Sequence, residues 1–295
     1  MKSLNKAVDT MIRRGLIVED LIRTENPELL DIFMTYQNEA IEARKFIHGS
    51  LSKLKPGDEI LEVGGGIQAL AIQLESEGFK ITSVEPASES FNSIKPILKL
   101  FSEMPENAKN YDLRQEPIEE CGFGKTFDFI FSINVMEHLV DPYSIILQLV
   151  EYLNHNGSYR FFCPNYDFPY EPHFSKWLWH RKNNAFFLTS SRAQNLRLRS
   201  EDQIELYNSI NFITVNKIRK FCNSQNLVAF VDNKALFRLM QRSLTDVGLR
   251  YRHLHLVKLV ESLNSLGVLA LAKFIPSRFQ PIMDFTITKN TSPKI

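Results

Sequence analysis

Acid and glycine meet in one short stretch of this chain, Glu62-Val63-Gly64-Gly65-Gly66-Ile67-Gln68. The apolar run Glu59 to Val63 ends in an acid, breaks into three glycines and passes into a helical pattern, which reads as strand, tight turn and helix. Glycine accepts positive φ and lets a ligand approach the backbone, while the N–H groups opening the next helix offer a polar face. The chemistry of such a turn is nucleotide binding. Further acids and amides follow at the ends of later apolar runs: Glu85-Pro86, the acidic turn Glu116-Pro117-Ile118-Glu119-Glu120, and Asn134-Val135-Met136-Glu137-His138. Side chains able to serve proton transfer are His138 and, in Pro169-Tyr170-Glu171-Pro172-His173-Phe174, Tyr170 and His173.

The elements that must position these residues alternate. Strands are expected at Glu59–Val63, Lys80–Val84, Tyr111–Gln115, Phe127–Ile133 and Ser158–Cys163. Helices are expected from Ile67 to about Glu77, from Ser88 to Met104 with Pro96 kinking it or delaying its start, and from Pro142 on to Gly157. This is the βαβ signature of a doubly wound, mostly parallel α/β sheet, whose ligands bind beyond the strand carboxyl ends. Glu62, Gly64, Gly66, Glu85, Glu116 and Asn134 all fall at such ends.

Around this core the pattern changes. Residues 1–55 are a helical N-terminal cap without a motif, and Pro56-Gly57 punctuates the join. The core is read as 56–233, with a lid loop at 164–210 rich in aromatic, proline and basic residues. Thr214 caps a helix over Val215–Asn223, and Leu227–Val231 is a sixth strand. A basic helical insertion is expected at 234–276, and 277–295 holds the last strand and tail.

Lysine and arginine number 35 against 34 acids, so no global field points to nucleic acid as a partner. The basic insertion carries Arg238, Arg242, Arg250, Arg252 and Lys258; it offers a contact for an anionic substrate or for a membrane surface, and equally reads as a solvated face. Cys121, Cys163 and Cys222 are far apart, with no metal-like spacing, which fits a reducing cytoplasm, and Cys163 reads as a buried strand residue. No secretory signal opens the chain, and Leu254 to Ile275 is interrupted by Lys258, Glu261 and Lys273, so no spanning helix is expected.

Two ligands compete for the glycine turn. Gly64-x-Gly66-x-x-Ala69 satisfies a relaxed dinucleotide pattern with Glu85 as its ribose acid, which leaves a NAD(P)-dependent oxidoreductase open. Glu62, two residues before the first glycine, would repel a pyrophosphate and attract a ligand carrying a sulfonium and an ammonium group. With Phe127-Asp128-Phe129-Ile130-Phe131-Ser132-Ile133-Asn134-Val135-Met136-Glu137-His138-Leu139 added, residues 59–163 resemble the S-adenosylmethionine-dependent methyltransferases of the seven-stranded α/β type, small-molecule branch. The acid-x-Gly-x-Gly-x-Gly motif of that family is matched except at Gln68, and Phe285–Lys289 resembles its reversed seventh strand.

The resemblance implies a division of labour. Glu62, Gly64 and Gly66, with Gly65 and Gln68 in the same turn, would hold the methionine end of S-adenosylmethionine. Glu85 and its neighbour Pro86 would hold the ribose, Pro117, Ile118 and Glu119 the adenine edge, and Asn134 with Val135 the region near the sulfonium. The acceptor is then an oxygen or nitrogen of a small molecule, such as a sugar or a lipid-linked intermediate. His138, His173 and Tyr170 are the catalytic candidates, although His138 also reads as a tie between a helix start and the strand-four loop, and Tyr170 as loop packing. A non-catalytic protein that keeps the fold to contact a partner is a third reading.

Overall fold

The computed structural model describes residues 3–86, 95–103, 110–172, 176–177, 209–246, 250 and 254–290. Its helices are α1 (Leu4–Glu25), α2 (Leu30–Leu51), α3 (Ala69–Ser76), α4 (Lys95–Glu103), α5 (Pro142–Glu151), α6 (Val215–Ser224), α7 (Ala235–Ser243) and α8 (Leu254–Ser265). Its strands are β1 (Glu59–Val63), β2 (Lys80–Val84), β3 (Asp112–Arg114), β4 (Phe127–Ile133), β5 (Leu153–Pro164), β6 (Tyr170–Glu171), β7 (Lys176–Trp177), β8 (Leu227–Val231) and β9 (Ile282–Lys289). Seven of them form one mixed sheet in the order β3-β2-β1-β4-β5-β9-β8. β1 is parallel to β2 and β4, β2 is parallel to β3, and β9 runs antiparallel to β8. This is the expected doubly wound sheet with its last strand reversed.

The chain forms two compact units, Met1–Ile133 with Gln148–Tyr159, and Asn134–Leu147 with Arg160–Ile295. In the first, Ser3 caps α1 by accepting from the Lys6 amide at 3.3 Å, and Ala7, Met11, Gly15, Val18 and Ile22 bury one helical stripe. Gly15 lets α2 come close, since a Cβ there would stand 2.6 Å from Gln37 Nε2, which donates to the Met11 carbonyl at 2.8 Å. Phe33, Ile41, Ile47 and Leu51 of α2 join Ile60, Leu70, Leu74, Phe129 and Phe131 in one core. Each such side chain contributes roughly 1.5–3 kcal/mol by leaving water.

A buried ion pair ties α2 to the end of α3. Arg44 Nε and Nη2 donate to Glu77 Oε1 and Oε2 at 2.9 and 2.7 Å, both side chains fully enclosed, and Gln73 Nε2 adds a third bond to Glu77 at 2.8 Å.

In the second unit, Phe161 and Phe285 stack at 5.2 Å between centroids, and Asp284 accepts hydrogen bonds from Arg160 Nε and Nη2, at 3.0 and 2.8 Å, and from Arg238 Nη2. Thr214 caps α6 through a 3.3 Å bond from the Lys217 amide, as the sequence indicates. Buried Asn165 fixes the chain leaving β5: its Nδ2 donates to the Gln280 carbonyl at 2.8 Å, and its Oδ1 accepts the Asp167 and Val215 amides.

Several boundaries differ from expectation. α5 stops at Glu151 and β5 begins at Leu153, where the sequence pattern continued the helix to Gly157. Asn154 is drawn into the sheet, donating to Asp128 and accepting from Thr126, and Gly157 packs so closely that a Cβ would lie 2.8 Å from the Phe127 carbonyl. α3 starts at Ala69, after a left-handed Gln68. α4 is described over Lys95–Glu103 and includes Pro96; residues 88–94, on which the choice between a kink and a late start depends, lie outside the described ones. The expected helical run from Lys234 to Phe274 is broken into α7, α8 and a 3-10 helix at Leu269–Phe274. Most of the expected lid lies outside the described residues, which show β6 paired with β7 at its start.

Candidate active site

Backbone conformation explains the spacing of the glycine turn. Gly64, Gly66 and Gln68 have φ of 82°, 51° and 64°, so every second residue is left-handed. Gln68 therefore occupies a position that favours glycine, and it does so as the residue before α3. The Gly64 and Gly65 amides donate to the Val84 carbonyl at 2.8 and 3.2 Å, while the Gly66 amide donates to Glu85 Oε2 at 2.7 Å. The turn is thereby fastened to the end of β2, and Glu85 is folded back onto it. A Cβ on Gly65 would stand 2.2 Å from Ser83 Oγ and 2.3 Å from Gln68 Nε2, so the middle glycine is required as well.

Charge under the turn is unbalanced. Glu62 is buried at the end of β1 and, among the described residues, accepts one hydrogen bond, from Ser83 Oγ at 3.3 Å. Burial pushes its carboxyl up to about 8; the serine bond opposes this and the nearby Glu85 charge reinforces it. Burial also raises Glu85, against the Gly66 hydrogen bond. Among the described residues Gln68, 2% exposed, has neither amide atom hydrogen-bonded, and the buried Tyr111 hydroxyl is without a partner too. Burial and the Glu62 charge keep the Tyr111 phenol protonated.

Tyr36 of α2 completes the group. A Cβ on Gly66 would meet its ring at 3.2 Å, and burial, Glu39 and Glu85 raise its phenol. Neither tyrosine is visible in a motif: Tyr111 precedes a three-residue strand, and Tyr36 lies 30 residues upstream of Gly66 in a cap the sequence marks only as amphipathic. At the expected adenine edge, Ile118 is buried and opens a 3-10 helix to Glu120, while Pro117 and Glu119 are exposed. Gln148 Nε2 braces this segment through the Ile118 and Cys121 carbonyls at 3.0 and 3.2 Å. Pro86 is half-buried beside Glu85.

The second unit holds the remaining candidates. Asn134 is exposed and left-handed, with φ of 56° and its amide donating to the Phe162 carbonyl at 2.8 Å; Val135 beside it is half-buried. His138 is half-buried with Nδ1 3.0 Å from Ser209 Oγ, an exposed contact joining the loop after β4 to the segment before α6. Tyr170 is buried in β6, and His173 lies outside the described residues. Sequence reasoning passed over a buried group here: Glu137, Cys163, Tyr166 and Glu171, with the Tyr166 hydroxyl 3.1 Å from Glu171 Oε1. Burial, reinforced by Glu171 and Glu137, holds the Tyr166 phenol protonated; burial with Glu137 does the same to the Cys163 thiol, in keeping with an inert strand residue.

The first unit fits S-adenosylmethionine and not a dinucleotide. A cation brought to Glu62 would compensate a carboxylate enclosed without one, whereas a pyrophosphate would face Glu62 and Glu85 together. Gln68 and Tyr111 supply buried donors and acceptors that still need partners.

Residues 35–204 match the family described as methyltransferase domain. An uncharacterized protein of Mycobacterium tuberculosis is 33% identical over 297 aligned residues, covering 98% of this chain and 97% of its own. The ubiquinone biosynthesis O-methyltransferase of Rickettsia akari is 32% identical over 107 residues, 36% of this chain and 39% of that protein, so the match spans well under half of it. A solved N-methyltransferase of Haemonchus contortus, in complex with phosphomonomethylethanolamine and S-adenosylhomocysteine, is similar over 86% of this chain and 53% of its own, at 14% identity and TM-score 0.48.

Proposed function

The chain belongs to the methyltransferase-domain family and is an S-adenosylmethionine-dependent methyltransferase; from that premise we propose that it methylates an oxygen or nitrogen of a small molecule, with a sugar or lipid-linked intermediate as the acceptor class. The observation that carries the assignment of residues is Glu62, a buried carboxylate with no cation beside it among the described residues, under a turn built from left-handed residues. In this reading Glu62, Gly64, Gly65, Gly66 and Gln68 hold the methionine end, Tyr111 adds a hydroxyl there, and Glu85 with Pro86 takes the ribose under Tyr36. Pro117, Ile118 and Glu119 border the adenine, and Asn134 with Val135 borders the sulfonium.

When bound, S-adenosylmethionine supplies a methyl group activated by the positive sulfur. The protein must then hold an acceptor atom in line with that group and dispose of its proton. Tyr166 and Cys163 stay protonated at neutral pH, so they donate hydrogen bonds and do not act as bases. That leaves His138 and His173 as the proposed proton acceptors, with Tyr170 as the third proposed catalytic residue, a hydrogen-bond donor to the acceptor.

Labelled methyl transfer from S-adenosylmethionine to sugars, phenols, amines and lipid-linked sugars tests the reading. Label on a hydroxyl or amine supports it, with kcat lowered in His138→Ala or Tyr170→Phe at unchanged S-adenosylhomocysteine affinity. Transfer confined to carbon, protein or nucleic acid would refute it.

A further inference from the structure

Within the second unit the insertion between β8 and β9 leaves an apolar surface uncovered. α8 closes on Gly267, at φ 70°, and the chain turns into the 3-10 helix Leu269–Phe274. Three residues per turn put Leu269 and Ala272 on one side, where both are buried, and Leu271 and Phe274 on another. Leu271 and Phe274 are 62% and 81% exposed, Leu266 just before them is 73% exposed, and Val268 and Phe279 are exposed as well. Along α8, Leu256 and Leu259 are exposed while Val257 and Val260 are buried.

The charge among these residues has one sign. Lys258, Lys273 and Arg278 are exposed, and no acid occurs between Glu261 and Asp284. Those two acids are already engaged, Glu261 by Arg250 at 2.6 Å, and Asp284, buried, by Arg160 and Arg238. Lys273 lies 4.3 Å from the Phe237 ring centroid and Arg278 4.4 Å from that of Phe279, so cations sit directly beside aromatic surface. The exposed stripe on α1, Ile12, Leu16 and Ile17, differs: Asp9, Glu19 and Asp20 lie within the same helix.

Exposed leucine and phenylalanine interleaved with lysine and arginine that meet no acid among the described residues is the pattern of a surface that lies in the headgroup layer of an anionic bilayer. Among the described residues no helix is long and apolar enough to cross a membrane, so the mode is peripheral. We propose that the face made by Leu266, Val268, Leu271, Phe274 and Phe279, rimmed by Lys258, Lys273 and Arg278, docks this protein on an anionic lipid membrane. The assignment goes beyond the proposed function and fails independently of it, because S-adenosylhomocysteine binding is measured without lipid.

The test is co-sedimentation of the full chain with phosphatidylcholine vesicles, with and without phosphatidylglycerol. Binding is expected to the anionic vesicles, weakened about tenfold by Leu271→Glu with Phe274→Glu, and by on the order of fivefold per charge by Lys273→Glu or Arg278→Glu. Circular dichroism melts of the variants should overlay the wild type, since every substituted side chain is exposed. Three results would overturn the proposal: no vesicle binding by the wild type, binding unchanged in the Leu271 and Phe274 variant, or a dimer in light scattering that this variant dissolves while vesicles bind neither protein.

Discussion

Two buried carboxylates in the first unit are treated in opposite ways. Glu77, at the end of α3, meets the Arg44 guanidinium through two hydrogen bonds and Gln73 through a third. Glu62, at the end of β1, receives a single serine hydroxyl, and its carboxyl is driven up to about 8. Desolvation costs several kcal/mol for either ion, and among the described residues only Glu77 has a counter-ion of the protein's own to offset it. The difference separates structure from function: the compensated charge fastens helices, and the uncompensated one waits for the charge of a ligand.

Breaking the compensated pair should have the largest effect. Arg44→Ala strands Glu77 inside the core and is expected to lower unfolding stability by about 3–5 kcal/mol, read from urea denaturation, with a smaller loss when both residues are replaced by apolar ones. A loss below about 1 kcal/mol would put the pair on the same footing as a surface bridge.

Glu62 should show itself through pH. Its folded pKa lies above the ordinary 4.5, so the ligand-free protein binds that proton more tightly when folded. The contribution is complete below about 4.5 and is lost as pH rises through about 8. Stability should therefore fall across that window by up to ~1.4 kcal/mol per pH unit, and Glu62→Gln should flatten the slope. Parallel profiles for variant and wild type would show that Glu62 does not titrate inside the fold.

Smaller effects are expected around the turn. Gln68→Ala removes two amide atoms that lack protein partners, so stability should hold while S-adenosylhomocysteine affinity drops about tenfold in calorimetry. Tyr36→Phe should cost only a few-fold in affinity, because ring packing against Gly66 survives and one hydroxyl is lost. A stability loss without an affinity change at Gln68 would mark it as a packing residue.

Much of this was legible in the sequence. β1, β2 and β4 announce themselves by apolar runs, the turn by its glycines, and α6 by Thr214, because each is set by local chemistry. Glu62 and Glu85 were found from their places at strand ends. Glu77 and Arg44 are 33 residues apart, and Tyr36 and Tyr111 become significant only when folding brings them to the turn that holds Gln68; no local pattern carries that information. The boundary between α5 and β5 was misplaced for a related reason, since Asn154 is held by Asp128 and Thr126 across the sheet. Glu137 and Glu171 stand inside quoted motifs, but they are 34 residues apart in sequence, and only the fold buries both together with Tyr166.

The central claim is that Glu62 receives the cationic end of the cofactor. Titration calorimetry with S-adenosylhomocysteine at pH 7, repeated in buffers of different ionisation enthalpy, measures it directly. The ligand's ammonium should displace the Glu62 proton, giving release of roughly one proton per ligand bound, and Glu62→Gln should abolish the release and weaken binding about a hundredfold. Binding without proton release, or equal affinity in the variant, would contradict the account.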